Sequence, residues 1–419
     1  MTAAPEVLRE PGFRRLWLAN AFRDSAGQVS SFALPVTAVT LLHASAFQMS
    51  LIVVFSRVGF VLIGLPAGVW IDRWVKRDVL MWADIAYFVS LATIPIAYVA
   101  GVLTVPQLIA VALVMSVANV FFSIAHTSIL PLILPKRRVA DARARLQTSE
   151  SAIQASSPGV AGVLTTVVAA PLLYAASTIF HLVSAVLIRS VDAHEKPKSR
   201  DEIEGRDFRR EVREGVAVTF RQPLLRLLVG QVAFHNFGIG LMASVVAVFI
   251  LRTLGISPWL FGVLSTVGAV AGLVASVACP PLRRRLGEVR MTLIFSGFAP
   301  FAVLCIPLAG VHHGLAVAFI AVAEVVLSFA GVGRSVAAAG LRARVTPNRY
   351  LSRVSAASGV ITQGATPLGA LLGGLLATSV GVTNVLWLSV AVIAVPLVLM
   401  LRSPIRSHRR LPPEWEVED

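Results

Sequence analysis

The sequence predicts an all-α integral membrane protein with twelve transmembrane helices in two six-helix, pseudo-symmetric bundles. The chain of 419 residues is 56% hydrophobic and only 14% charged, whereas soluble domains carry about 25% charged residues. It contains twelve apolar runs of the length that a spanning helix needs, which is about 20 residues. Lys and Arg residues are concentrated in alternate gaps between these runs, which is the distribution typical of cytoplasmic loops.

The apolar runs are numbered here as spans 1 to 12. Several contain proline, which membrane helices tolerate because neighbouring helices satisfy the freed backbone groups. Spans 4 and 10 are long enough that they should tilt or protrude. The predicted spans are residues 16–42, 49–71, 79–100, 105–134, 146–169, 171–191, 224–251, 258–281, 291–310, 314–340, 354–380 and 382–401.

The distribution of bases predicts the orientation. Bases precede span 1, follow span 12 and fill every gap between an even span and the next odd one, whereas the other gaps hold one base, Arg252. Both termini are therefore expected in the cytoplasm, and the protein in the cell membrane. The net charge of +15 would suggest nucleic acid in a soluble protein. Here the cytoplasmic loops account for it, so no nucleic-acid partner is expected.

The longest connection divides the chain into two halves. It is rich in charges of both signs, and its second part, residues 208–220, has the pattern of an amphipathic interfacial helix. The predicted divisions are an N-terminal bundle (1–191), a cytoplasmic linker (192–223), a C-terminal bundle (224–401) and a cytoplasmic tail (402–419).

The two halves resemble each other in sequence. A Pro-Lys-Arg turn at Pro135 precedes a Pro-Gly pair at Pro158, and a Pro-Asn-Arg turn at Pro347 precedes a Pro-Leu-Gly element at Pro367. Internal repeats of this kind are what transporters use to build two bundles around a central site.

The most specific motif is the turn between spans 2 and 3. Gly68 is followed four residues later by Asp72 and then by three bases, in the pattern Gly-x3-Asp-Arg-x2-Lys-Arg. A cytoplasmic loop explains the bases but not the acid beside them. Gly64 lies one helical turn before Gly68, so the two share a face and should permit close helix packing. The motif residues are Gly64, Gly68, Asp72, Arg73, Lys76 and Arg77.

Twelve spans in two halves, this turn and the Pro-Gly-x2-Gly element of span 5 together resemble the major facilitator superfamily. The span-5 residues are Pro158, Gly159 and Gly162. Phe13-Arg-Arg-Leu-Trp17 before span 1 and Leu130-Pro-Leu-Ile-Leu-Pro135 after span 4 resemble the bacterial drug:proton antiporter group that includes macrolide and enterobactin-type exporters. Val75 replaces the usual second glycine of the turn, and the second half lacks the Asp.

The resemblance implies roles for both motifs. Asp72 would meet the start of span 11 and, with Arg73 and Arg77, hold the cytoplasmic side closed. Its charge would be favoured by a helix N-terminus. The span-5 residues would allow a bend and close packing.

Charged residues within spans are functional candidates, because burying a charge in a membrane is costly. Asp24 lies about nine residues into span 1, roughly 13 Å from the cytoplasmic edge at 1.5 Å per residue, and Arg57 of span 2 lies at a similar depth. They are predicted to pair, either as a structural salt bridge or as a proton-coupling site. Arg23 points about 100° away from Asp24 and is expected to face the other half or to snorkel. Glu324 of span 10 has no basic neighbour in its helix and could exchange a proton for a cationic substrate.

Four further polar residues lie at cavity depth. A single His or Asn in a membrane helix also serves as a helix–helix hydrogen bond, so a structural role competes with substrate binding at each position. These residues are Asn119, His181, His235 and Asn236.

No enzyme site, cofactor or metal centre is predicted. The chain has no Gly-x4-Gly-Lys-Ser/Thr phosphate loop, so it should not hydrolyse ATP. Its histidines lack metal-ligand spacing, and Cys279 and Cys305 both lie in apolar runs. The resemblance instead implies a monomeric secondary transporter that exports a hydrophobic, drug-like small molecule, cations included, in exchange for protons. An exporter of a siderophore or similar metabolite, and a non-transporting membrane sensor, are the alternatives.

Overall fold

The computed structural model describes residues 6–191, 216–345 and 351–403. Within these residues the chain folds into twelve long helices, preceded by one short turn at Glu6–Arg9. The first six are α1 (Pro11–Val36), α2 (Ala46–Arg73), α3 (Lys76–Val99), α4 (Val105–Ile133), α5 (Lys136–Leu164) and α6 (Leu173–Arg189). The second six are α7 (Pro223–Val248), α8 (Pro258–Leu286), α9 (Glu288–Val311), α10 (Ala316–Val345), α11 (Leu351–Val380) and α12 (Val382–Arg402).

Proline and glycine mark several helix ends. Helices α1, α7 and α8 each begin with a proline, whose fixed φ suits the first turn and whose missing N–H would have no partner there. Single glycines separate α8 from α9 and α11 from α12. Gly287 and Gly381 have φ of 82° and 85° with ψ near 160°, a region that only glycine occupies readily. These residues therefore let consecutive helices follow each other without a loop.

The internal repeat is visible in the helices themselves. Helices α1 and α7 both contain 26 residues, begin with proline and continue into a five-residue π-helix, Thr37–Leu41 and Phe249–Thr253 respectively. Helices α3 and α9 both contain 24 residues. The repeat predicted from the turn motifs is therefore expressed as equal helix lengths and matching π-turns.

The fold is that of an all-α, multi-pass membrane protein, as predicted. Ten helices in the described part of the chain are long and apolar enough to cross a membrane by themselves. Helices α1 and α5 are more polar. The span 5 boundary was predicted wrongly: α5 begins at Lys136 rather than near residue 146, because its charged first turns continue the helix beyond the apolar run.

Two predicted segments fall largely outside the described residues. Of the interfacial helix expected at 208–220, only residues 216–220 are described, and they are helical. Of the tail expected from residue 402, residues 404–419 lie outside the described part.

The chain forms two compact units. The first contains Met1–Ala44, Phe55–Gly205 and Pro258–Thr266, and the second contains Ser45–Val54, Arg206–Ser257 and Val267–Asp419. In the first, α1 packs on α5 and α6, and α3 packs on α4 and α6. In the second, α7 packs on α11 and α12, and α9 packs on α10 and α12. The same packing scheme is thus repeated with corresponding helices.

Helices α7 and α11 approach so closely that only glycine fits between them. A Cβ on Gly240 would overlap the Thr366 carbonyl oxygen, and a Cβ on Gly369 would overlap that of Phe237. Small residues give membrane helices this kind of backbone contact. The backbones of α7 and α11 are therefore in direct contact within the second unit.

Candidate functional site

A buried ion pair lies at the centre of the first unit. The Arg23 guanidinium of α1 donates a hydrogen bond to the Asp84 carboxylate of α3. The two side chains are only 8% and 0% exposed. Charges so far from water persist only when they are paired and hydrogen-bonded. The pair therefore fixes the rotation of α1 and α3 relative to each other.

Asp84 has two further partners on α6. The Ser184 hydroxyl donates to Asp84 Oδ2 at 2.6 Å, and His181 Nδ1 lies 3.0 Å from Oδ1. An ionised carboxylate can only accept hydrogen bonds, so Nδ1 is the protonated nitrogen of His181. Asp84 thus links α1, α3 and α6 through one side chain.

Arg23 is also enclosed by aromatic rings. Its guanidinium carbon lies 3.5 Å from the ring centroid of Phe122 and 4.6 Å from that of Tyr87. The His181 ring stacks on Tyr87 with centroids 4.5 Å apart. Cation–π contacts of this kind gain strength away from water. Arg23 Nη2 also donates to Asn119 Oδ1 of α4 at 3.3 Å, so the predicted candidates Arg23, Asn119 and His181 belong to one network.

The predicted pairing of Asp24 with Arg57 is wrong. No ion pair joins them among the residues that the structure describes: Asp24 is half-buried and Arg57 is exposed. The prediction that Arg23 snorkels or faces the other half is also wrong, because it points into the first unit and takes the place expected for Asp24. Successive helical residues differ by about 100°, and the sequence did not determine which of the two faces α3.

Asp84 was missed by the sequence analysis. It is the ninth residue of α3, inside the apolar run predicted for span 3. The criterion that selected Asp24 and Glu324, a charge within a span, applies equally to Asp84 and would have found it.

Glu324 lies in the second unit, where α10 crosses α8. A Cβ on Gly268 would come within 2.6 Å of Glu324 Oε2 and 3.1 Å of its Cβ. The glycine thus leaves the space that the carboxylate occupies. Within the described residues Glu324 has no basic partner in hydrogen-bonding distance, and it is half-buried.

The internal repeat relates the remaining candidates to the first unit. His235 is the thirteenth residue of α7, as Arg23 is of α1, and it is likewise buried. Asn236 occupies the position that corresponds to Asp24, and its Nδ2 donates to the Thr362 carbonyl oxygen of α11 at 2.9 Å. Asn236 therefore forms the helix–helix hydrogen bond that was the alternative to substrate binding.

The turn after α2 is only partly described. The Asp72 side chain lies outside the described part of the structure. Lys76 is buried, Arg73 is exposed, and Arg77 pairs with Asp78 at 3.1 Å. Arg73 borders an apolar cleft of about 960 Å³ between α2, α3 and α4, which contains Trp74, Trp82 and Phe121.

Within the described part of the first unit, no neighbouring helix packs closely on Gly64 or Gly68. Among the described residues, a Cβ on Gly68 would meet nothing within 4 Å, and one on Gly64 would meet only Phe60 of the same helix. Instead α2 approaches α4 at Gly59, where a Cβ would lie 2.7 Å from the Ser116 backbone. The glycine that permits packing of α2 in the first unit therefore lies earlier in the helix.

The span-5 residues contact the start of α8, which belongs to the same unit. A Cβ on Gly162 would lie 2.9 Å from the Cα of Gly262, and one on Gly159 would lie 2.6 Å from Thr266 Oγ1. A Cβ on Gly262 would in turn lie 2.6 Å from the Pro158 carbonyl oxygen. Close packing is thus observed at this motif.

Gly162→Ala is expected to lower the free energy of unfolding by about 1–3 kcal/mol, because the added methyl meets backbone atoms that cannot move aside alone. Thermal unfolding in detergent measures the effect. Gly27→Ala in α1 is the control: its Cβ would meet nothing within 4 Å, so it should be neutral or stabilise by about 0.5–1 kcal/mol. Equal effects of the two changes would contradict the packing argument.

Comparison with known proteins identifies the family. The profile described as "Major Facilitator Superfamily" matches residues 16–343. The chain belongs to the Major Facilitator Superfamily. Its members are transporters, and twelve spans in two repeated six-helix units are consistent with that family. No curated protein matches the chain.

Several solved structures share this superfamily fold. A bacterial homologue of the iron transporter ferroportin, in the inward-facing state, superposes with a TM-score of 0.77 at 17% identity over 95% of this chain and 99% of that one. A bacterial metal transporter gives 0.67 at 18% identity over 95% and 99%. A bacterial homologue of the human lysosomal transporter Spinster gives 0.69 at 14% identity over 97% and 99%. At these identities the likeness concerns the fold.

Proposed function

We propose that this transporter is a secondary active exporter. It moves hydrophobic, drug-like compounds, cationic ones among them, out of the cell as protons enter. Asp24 and Glu324 are its proposed proton or cation sites. Asp72, Arg73 and Arg77 form the proposed cytoplasmic gate, and Pro158, Gly159 and Gly162 the proposed point of bending, in an alternating-access cycle. The proton-motive force is then the only energy source that export requires.

The observation that carries this proposal is the environment of Glu324. Gly268 leaves space for its carboxylate, and the described residues offer it no basic partner. A carboxylate at this depth must acquire a proton or a cation, because an uncompensated charge is costly there. Exchange of a proton for a cationic substrate at one carboxylate couples the two movements directly.

An anionic metabolite such as a siderophore is the second candidate cargo. It would need free bases within the spans, and Arg57 and Arg23 are the candidates. Arg23 is already paired with Asp84 and enclosed by two rings, so binding an anion there would break a buried ion pair. This observation favours the neutral or cationic cargo. A non-transporting sensor of the same fold is the third candidate.

Transport in liposomes tests the proposal. The purified protein is reconstituted with ethidium on one side and a pH gradient of either sign. We expect ethidium to move against the direction of proton flow and to stop moving when nigericin collapses the pH gradient. Ethidium movement that is equally fast with and without the pH gradient would overturn the proposal of proton exchange. Movement of an anionic siderophore alone would favour the second cargo, and no movement of any cargo would favour the sensor.

We further propose a plasma-membrane location with both termini cytoplasmic. The two ends of α9 provide a matched test, since Arg290 and His313 are exposed near opposite ends of that helix. Cys279 and Cys305 are buried, so they give little background labelling. We expect His313→Cys to react with a membrane-impermeant maleimide in intact cells, and Arg290→Cys to react only after permeabilisation. The reverse pattern would contradict the orientation.

A further inference from the structure

A stripe of buried polar residues runs along α1 beyond the ion pair. Ser30 and Thr37 follow Arg23 at intervals of seven residues, which places all three on one face of the helix. Ser30 is 2% exposed and Thr37 is fully buried. Thr37 opens the π-helical turn, a distortion that is frequent at functional sites.

A second stripe runs along α6. Tyr174 and Ser177 precede His181 by seven and four residues, so they share the face that His181 turns towards Asp84. All three are at most 1% exposed. Helices α1 and α6 pack together and, as odd and even spans, cross the membrane in opposite directions. Moving forward from Arg23 and backward from His181 therefore leads to the same end of the unit. At about 1.5 Å per residue, Ser30 and Tyr174 lie roughly 10 Å along the two helices, and Thr37 lies roughly 21 Å along α1.

These two stripes, called the polar seam below, contain five polar atoms without a partner in the described part of the chain. They are Ser30 Oγ, Thr37 Oγ1, Tyr174 OH, Ser177 Oγ and His181 Nε2. Leaving a buried polar group unpaired costs about 1–3 kcal/mol, and such groups are normally satisfied by protein or by ordered water. Thr178 on the same helix shows the usual solution, because its hydroxyl donates to the Tyr174 carbonyl oxygen at 2.7 Å.

We infer that the polar seam holds a file of water molecules that carries protons from the Thr37 and Tyr174 end of the unit to His181 and Asp84. Water is the ligand that fits because each atom needs one or two small partners and the atoms follow one another along two facing helices. This inference rests on the proposed function in one respect: the protons that the water file delivers are those that enter the cell during export.

The proton transfer at the end of the file is balanced. His181 Nδ1–H donates to Asp84, so neutral His181 presents a bare lone pair at Nε2. Water delivers a proton to Nε2, and the Nδ1 proton passes to Asp84 Oδ1. The pair has then gained one proton, held on Nε2, and Asp84 is a neutral acid. Arg23 loses its counterion and is free to move, which couples proton entry to a change in helix packing.

Other ionisable groups surround this pair. Asp24 and Tyr87 interact electrostatically with the Asp84 carboxylate, His126 with Arg23, and Glu150 with Asp24. These groups are Asp24 of α1, Tyr87 of α3, His126 of α4 and Glu150 of α5.

Radiolytic labelling of the full protein in nanodiscs tests for the water directly. Hydroxyl radicals made from bound water label adjacent side chains even where bulk water cannot reach. We expect Tyr174 to be labelled at least about tenfold faster than Phe249, which is equally buried but has no polar side-chain atom to hold a water molecule. Labelling of Tyr174 as slow as that of Phe249 would overturn the water file, whether or not the protein transports protons.

Variants test the use of the file. Tyr174→Phe, Ser177→Ala, Ser30→Ala and Thr37→Val combined remove four hydroxyls with little change of shape. We expect gradient-driven proton influx to fall at least about tenfold, while substrate exchange at equal pH is retained. Thr178→Val is the matched control and should leave the influx unchanged. Full influx in the combined variant would overturn the path, whereas absence of influx in the parent protein would instead overturn the proposed proton exchange.

Discussion

Arg23→Met is expected to lower the free energy of unfolding by about 3–5 kcal/mol, because it leaves the Asp84 carboxylate buried without its counterion. Met is similar in length to Arg but is uncharged and apolar. The loss of stability therefore reflects the missing charge more than a change of side-chain volume. Ser184 and His181 still donate to Asp84, but neither replaces a full positive charge. Thermal and denaturant unfolding in detergent, followed by tryptophan fluorescence, measures the change.

A double variant separates the ion pair from packing. Arg23→Met with Asp84→Leu removes both charges, and replacing a buried pair by apolar residues is often neutral or stabilising. We therefore expect the double variant to recover most of the stability lost in Arg23→Met. If it is as unstable as the single variant, the aromatic enclosure by Tyr87 and Phe122, rather than the ion pair, stabilises this region.

The exposed ion pair of the same unit provides the comparison. Arg138 Nη1 lies 2.8 Å from Glu10 Oε1, with the side chains 25% and 44% exposed. Pairs in contact with solvent contribute about 0–1 kcal/mol, so Glu10→Gln should change stability by no more than that. A loss in Glu10→Gln equal to that in Arg23→Met would show that burial is not the source of the difference.

The fold could be predicted because the lipid surroundings permit few backbone conformations in a spanning segment. Backbone groups in lipid must be satisfied within each segment, so an apolar run of sufficient length becomes a helix. Predicted span 3 (79–100) and span 9 (291–310) agree closely with α3 and α9. The errors occur where helices continue past the apolar run, as α5 does at Lys136, because hydrogen bonding along a helix does not stop at the membrane surface.

The candidate site was predicted less well because it depends on helix rotation. A charge within a span can be recognised from sequence, but its partner lies on another helix whose facing side is not encoded in the run itself. Arg23 and Asp24 are adjacent, and only packing against α3 decides that Arg23 meets Asp84. The same limit explains why Gly59, and not Gly64 or Gly68, is the glycine at which α2 approaches its neighbour in the first unit.

Glu324→Gln is expected to reduce pH-gradient-driven ethidium export by about 100-fold or more, within the range that proton-transfer groups contribute. Gln keeps the shape and polarity of the side chain in the space beside Gly268 but cannot bind or release a proton. Substrate binding should weaken less than coupling for neutral compounds, which need no counter-charge. Initial rates in liposomes with and without a pH gradient measure the two effects separately.

Two further variants show whether the carboxylate itself is required. Glu324→Asp keeps a titratable group on a shorter side chain and should retain part of the coupled rate. Glu288→Gln removes a carboxylate at the first residue of α9, outside the middle of any span, and should leave coupling intact. Full coupling in Glu324→Gln would exclude Glu324 as the exchange site. Loss of coupling in Glu324→Asp as complete as in Glu324→Gln would mean that the position of the carboxylate beside Gly268 matters as much as its proton.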